Sequence, residues 1–153
     1  MKLQRGVTMV EALVALVIIS IGMLGIAGLY VSGIKAGRSA LLRTQAVNLA
    51  SDMADRIRAN RRAQAAYDID AYAGDPVEQG CVGDACTPAE LAEDDLSRWK
   101  AAVEASLPGR PLATVDVQFT DQPGGDADRY AVSVTWHEAG EEEPSTYTLS
   151  VEV

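Results

Sequence analysis

Residues 12–34, ALVALVIISIGMLGIAGLYVSGI, run for 23 positions without a charge, and one carboxylate, Glu11, stands immediately before them. A run of that length crosses a ~30 Å hydrocarbon core, which takes roughly 20 helical residues. A cleaved secretory signal has a shorter apolar core followed by an A-x-A-like site. Here no such site follows, and a helical pattern continues straight past the run. A membrane span covering 12–34 is therefore expected. Charge alone leaves its orientation open. Lys2, Arg5 and the α-amino group favour a cytoplasmic N-terminus, but Lys35, Arg38 and Arg43 flank the other end.

The net charge of −9 is unevenly divided. Residues 1–6 carry +2, residues 7–34 carry −1, residues 35–66 carry +5 and residues 67–153 carry −15. A basic head and an apolar rod thus lead into a basic rod and an acidic globule. The acidic part argues against nucleic-acid phosphates as a partner through its general field. It suits solubility outside a membrane.

After the span, Leu42, Ala46, Leu49, Met53 and Ile57 recur at helical spacing and form one apolar stripe. No proline occurs between 7 and 66, so one long helix is expected over 7–66. Only its first ~30 Å can lie in lipid. The stripe beyond must pack on the C-terminal domain. Gly22, Gly25, Gly28, Gly33 and Gly37 each weaken a helix by about 1 kcal/mol relative to Ala. They fit close helix–helix approach or local unwinding as well as ordinary tolerance of glycine in membrane helices. Arg56, Arg58, Arg61 and Arg62 read as a solvated face meeting acidic neighbours.

Residues 67–153 read as an α+β globular domain. Gly74, Pro76, Gly80 and Gly83 mark a loop over 67–86. Cys81 and Cys86 enclose VGDA. A disulfide is preferred to a metal site, because the only histidine is the distant His137 and the spacing is poor for a zinc knuckle. A close cysteine pair after a membrane span also favours an oxidising compartment and so an external C-terminal domain. Thr87, Pro88 and Glu90 fit N-cap, N1 and N3 of a capping box, so a helix is expected over about 88–107. Ala92, Leu96, Trp99 and Val103 make its buried stripe, and Pro108-Gly109 ends it. Three alternating segments follow, with inner faces Val115/Val117/Phe119, Tyr130/Val132/Val134/Trp136 and Tyr147/Leu149/Val151/Val153. Gly124-Gly125 and residues 140–144 supply the turns. The expected product is an antiparallel sheet covering the rod's stripe.

No catalytic constellation emerges. His137 is placed on the polar face of its strand, and no phosphate loop or metal cluster is legible. The acidic runs 93–95 and 141–143 read as solvated surface. The chain is expected to be no enzyme and to hold no metal or cofactor.

The opening K-L-Q-R-G followed by V-T-M-V-E-A-L-V-A-L resembles the class III signal of type IV pilins and pseudopilins. The resemblance implies that residues 1–6 are a leader, cut after Gly6 on the cytoplasmic side by a prepilin peptidase that methylates the new terminus at Val7. It implies that Glu11, the fifth mature residue, pairs with the α-amino group of a neighbouring subunit. Val7 departs from the family's usual Phe at that position. The physics is consistent with this arrangement. Glu11 lies one helical turn after Val7, where a negative charge favours the macrodipole. A charge deep in a bilayer costs about 2.5–3.5 kcal/mol on insertion scales, and pairing reduces that cost.

The stretch T-Q-A-V-N-L-A-S-D-M-A-D-R-I-R-A-N-R, with C-T-P-A-E-L-A-E-D-D-L-S-R-W-K and then L-P-G, is similar to the minor pilins called PilV, or type IV pilus modification proteins. That similarity implies a pilin-like fold with the long helix packed on an antiparallel sheet. It implies assembly with other minor and major pilins into a priming or tip complex, supporting pilus biogenesis, twitching motility and adhesion. Before assembly the chain would sit among inner-membrane lipid as a single-pass protein, N-terminus cytoplasmic and domain periplasmic. Two other expectations remain beside it. One is a minor pseudopilin of a type II secretion system, which shares the leader and Glu11. The other is a signal-anchored periplasmic binding module, in which Gly6 would stay uncleaved.

Overall fold

The structure is a computed structural model that describes residues 8–81, 85–109, 112–122 and 127–153. The chain divides between Ala40 and Leu41 into two units. The elements run in the order α1 (Met9–Ala59), two 3₁₀ segments (Arg61–Tyr67 and Ile69–Ala71), α2 (Pro88–Ser106), β1 (Thr114–Thr120), β2 (Arg129–Trp136) and β3 (Ser145–Glu152). This is an α+β, pilin-like arrangement.

Among the described residues the first unit is Thr8 and the opening part of α1, whose large apolar side chains from Met9 to Ile34 are exposed. α1 is long and apolar enough to cross a membrane. The leader and Val7 lie outside the described residues.

The second unit holds one hydrophobic core. Three faces meet in it: Leu42, Ala46, Ala50, Met53, Ala54 and Ile57 from α1; Ala92, Leu96, Trp99 and Val103 from α2; and the inner face of the sheet. The α1 stripe is thus wider than the five expected residues. Leu49 is only partly buried, and Ala50 and Ala54 complete the seam with side chains small enough for close approach. The Trp99 indole fills the centre, and its N–H donates to the Leu49 carbonyl at 2.8 Å. A buried indole that lost this acceptor would leave a polar group unsatisfied in the core.

α1 ends at Ala59 and not at residue 66. The Asn60 side chain turns away to donate to the Pro88 carbonyl at 2.8 Å. A 3₁₀ segment follows, broken at Gln64 by a positive φ of 45°. The reason is Tyr67, which is completely buried. A straight helix through 66 would carry that ring away from the core. Folding back places its hydroxyl on Asp95 Oδ2 at 2.8 Å.

α2 begins as its sequence requires. The Thr87 hydroxyl accepts from the Glu90 N–H, and the Glu90 carboxylate accepts from the Thr87 N–H, with Pro88 in the first turn. The helix stops at Ser106, with Leu107 buried behind it.

The sheet is a three-stranded antiparallel meander in the order β1-β2-β3. Val117 sits opposite Val132, and Val132 opposite Leu149. Tyr130, Val132, Val134 and Trp136 are all buried, because β2 is central and its inner face is covered. The outer face carries paired hydroxyls, Ser133 with Thr148 and Thr135 with Thr146, each at 2.9 Å. His137 lies just beyond β2 rather than on its polar face. Gly124-Gly125, between β1 and β2, lies outside the described residues, as does Gly83.

Candidate assembly site

The residues singled out for processing and assembly are Gly6, Val7 and Glu11. Gly6 and Val7 fall outside the described residues. Glu11 is exposed in the first turn of α1. Its backbone N–H donates to Thr8 Oγ1 at 3.3 Å, and the Ala12 N–H donates to the Thr8 carbonyl at 3.2 Å. Thr8 therefore caps the helix, and Thr8-Met9-Val10-Glu11 has the T-x-x-E spacing of a capping box. Sequence reasoning applied that rule to Thr87 and passed over Thr8. Glu11 thus sits at N3, where its charge favours the positive end of the helix dipole. The Glu11 carboxylate stands at the start of a helix surface built from Leu13, Val17, Ile21, Leu24 and other exposed apolar side chains. Water cannot cover such a surface without cost; each large side chain is worth about 1.5–3 kcal/mol on transfer out of water. It calls for lipid or for other apolar rods.

Cys81 and Cys86 are joined by a disulfide, with a Cα–Cα distance of 5.7 Å. Both sulfurs are thereby committed. Among the described residues no group of His, Cys, Asp and Glu is arranged to hold a metal ion.

The acidic run 93–95 is not solvated surface. Asp94 is 3% exposed. Its Oδ1 accepts the backbone N–H groups of Gln79 at 2.8 Å and Gly80 at 2.9 Å. Its Oδ2 lies 2.9 Å from Arg98 Nε, an ion pair without the alignment of a hydrogen bond. Glu93 accepts from the Val77 N–H and the Gln79 side chain. Arg98 also meets Glu78 at 3.0 Å, and Lys100 pairs with Asp75. Residues 75–80 are thus strapped onto α2, immediately before Cys81. Asp95 joins the same helix to α1 through Arg56, at 2.9 Å, and holds the Tyr67 hydroxyl. Burial and the neighbouring Asp95 charge both push the Tyr67 phenol well above its usual range. The ring is a neutral donor at any physiological pH.

The basic cluster divides. Arg56 and Arg58 pair with Asp52 and Asp55 on their own helix, at 2.9 and 2.8 Å. Arg61 and Arg62 are exposed in the 3₁₀ segment.

Two family models match the chain. Residues 1–27 match the prokaryotic N-terminal methylation motif, and residues 28–97 match the family described as type IV pilin Tt1218. Over those residues the chain is similar to type IV pilins. The first match contains Gly6, Val7 and Glu11. The second runs from the later part of the apolar helix through the disulfide into α2. Together they support a pilin role in pilus biogenesis, with processing by a prepilin peptidase and assembly with other pilins. Pilins are structural proteins rather than enzymes. The long apolar helix and the methylation motif fit a membrane-anchored pilin. No curated protein and no solved structure matches the chain.

Proposed function

We propose that this protein is a minor pilin of the PilV kind, which joins other minor and major pilins in a priming or tip complex of a type IV pilus. In this reading residues 1–6 are removed after Gly6, Val7 becomes the methylated terminus, and residues 12–34 hold the subunit in the inner membrane until extraction. The domain is periplasmic at first and then displayed on the pilus, where it supports twitching motility and adhesion. The observation that carries the reading is the co-occurrence of Gly6-Val7, Glu11 and the start of an exposed apolar helix in the one N-terminal segment matched by the methylation motif. An exposed carboxylate in the first turn of such a helix has an evident counter-charge in the processed amino terminus of a neighbour, which sets the axial register between rods.

The test is a deletion strain complemented with the wild-type gene, Gly6→Ala or Glu11→Ala, scored for surface pili, twitching and type II secretion. Mass spectrometry of the native protein runs in parallel. The expected result is loss of residues 1–6, one added methyl group, and pili restored by wild type alone. A protein that retains its leader, or equal piliation from all three genes, overturns the proposal. A defect confined to secretion assigns the protein to a pseudopilus instead.

A further inference from the structure

The two edges of the sheet are treated differently. Asp128 and Val153 exchange both backbone hydrogen bonds, at 3.1 and 2.9 Å. Antiparallel pairs alternate between bonded and non-bonded positions. The register then makes Tyr130–Val151, Val132–Leu149 and Val134–Tyr147 the bonded pairs of β2 and β3. It follows that Thr146, Thr148, Ser150 and Glu152 direct their N–H and C=O groups away from β2. The close hydroxyl contacts at Thr146 and Thr148 agree, since side chains approach most nearly at non-bonded pairs.

The same counting turns the Phe119 N–H on β1 outward, and there it donates to Asp68 Oδ2 at 3.1 Å. Asp68 also caps the second 3₁₀ segment through its other oxygen. The β1 edge is therefore capped from within the chain. Among the described residues nothing does this for β3. Residues 145–151, STYTLSV, contain no charge, proline or glycine, and the one charge in β3, Glu152, stands at its far end paired with Arg129 at 2.9 Å, so most of this edge lacks the usual protections of an edge strand. Beside this edge the inner face is also incompletely covered. Tyr147 and Leu149 are half-buried, whereas Val132 and Val134 in β2 are fully buried.

We propose that the β3 edge docks an extended segment of a partner polypeptide, added as a fourth, antiparallel strand. Its hydroxyl or other small polar side chains would lie over the Thr/Ser face and its apolar side chains beside Tyr147 and Leu149. Charge settles its ends. Glu141, Glu142 and Glu143 lead into β3, are exposed, and have no ion-pair partner among the described residues. An antiparallel partner that is basic at its C-terminal end meets them. A second copy of this chain does not fit. Antiparallel self-pairing centred on Thr148, which sets outward residues opposite outward residues, brings Glu152 of each copy opposite position 144, beside the acidic turn of the other. The surface is defined by the sheet and is independent of the filament proposed above.

The test uses full-length protein in detergent micelles and a fluorescent, N-acetylated peptide of alternating threonine and valine ending in two lysines. Fluorescence anisotropy should show saturable binding, and the amide protons of Thr146, Thr148 and Ser150 should exchange more slowly in the complex. Methylating alternate peptide nitrogens, or replacing both lysines by glutamate, should weaken binding about tenfold or more. These peptide changes leave the protein untouched. Thr148→Pro removes an outward donor while leaving the β2 ladder intact, and Glu142→Lys with Glu143→Lys reverses the turn; both should weaken binding similarly, with the near-ultraviolet spectrum unchanged. Absent binding, equal binding of the N-methylated or glutamate peptides, or protection at β1 instead overturns the proposal. So does preferential β3-to-β3 cross-linking of a Thr148→Cys protein, which would make the occupant a second copy.

Discussion

Asp94 offers a sharp test of how the globular unit is held together. Substitution by Ala deletes the acceptor of the Gln79 and Gly80 N–H groups and leaves the Arg98 guanidinium without its nearest counter-charge. Removing one partner of a buried ion pair costs about 3–5 kcal/mol when the remaining charge stays buried. Two features lower that figure. Arg98 keeps Glu78, and residues Gln79 and Gly80 are exposed, so water reaches their amides once the strap lifts. An expected loss of about 2–3 kcal/mol follows, from two charge-assisted hydrogen bonds of about 1.5–3 kcal/mol each, partly replaced by solvent. Asp94→Asn keeps Oδ1 as a neutral acceptor and should cost about half as much. The assay is urea unfolding of the full-length protein in micelles, followed by the fluorescence of Trp99 and Trp136, both of which are buried. Hydrogen exchange at Gln79 and Gly80 serves as the local readout. The reasoning fails if Asp94→Ala changes stability by less than about 0.5 kcal/mol, within the noise of a surface substitution. It fails also if Asn is as damaging as Ala, or if the two amides stay protected in the Ala protein.

Asp116 should behave in the opposite sense. Burial, helped by the negative charges of Asp70 and Asp68, holds its carboxyl above the ordinary value of 3.8 while Gln118 pulls it back. A raised folded-state pKa means that the fold favours the protonated form. That contribution is present below the unfolded value and is lost as pH rises through the folded one. Asp116→Asn should therefore raise the melting temperature at neutral pH, with the gain vanishing as pH falls below the carboxylate range; an unchanged or lower melting temperature at pH 7 contradicts it. Replacing both Cys81 and Cys86 by Ser should cost roughly 2 kcal/mol, the chain-entropy value for so short a loop. Urea unfolding checks it, and a loss under about 0.5 kcal/mol would mean that the strap on α2 already closes the loop without the bond.

Much of this protein was decided by the sequence alone, because the deciding signals are local. An uncharged run over 12–34 can only be sheltered from water by lipid or other apolar surface. The capping box at Thr87–Glu90, the α2 stripe and the alternation in β2 each rest on neighbours within a few residues, and the structure follows them. The disulfide was legible for the same reason, with two cysteines close in sequence and no rival ligands.

Tertiary structure settled what depends on distant partners. Nothing near residue 60 announces the end of α1; it ends there because Tyr67 must return to the core and meet Asp95, 28 residues further on. Glu93, Asp94 and Asp95 look like a solvated run because a single chain stretch shows charge but not which groups will face it. Only folding aims backbone N–H groups, Arg98 and Arg56 at those oxygens. The unequal edges of the sheet belong to the same class, since Asp68 reaches the Phe119 amide across 51 residues while β3 receives no such cap among the described residues. Periodicity places a side chain on a face, but a hydrogen bond or ion pair is made only when two separate stretches of chain are brought within about 3 Å.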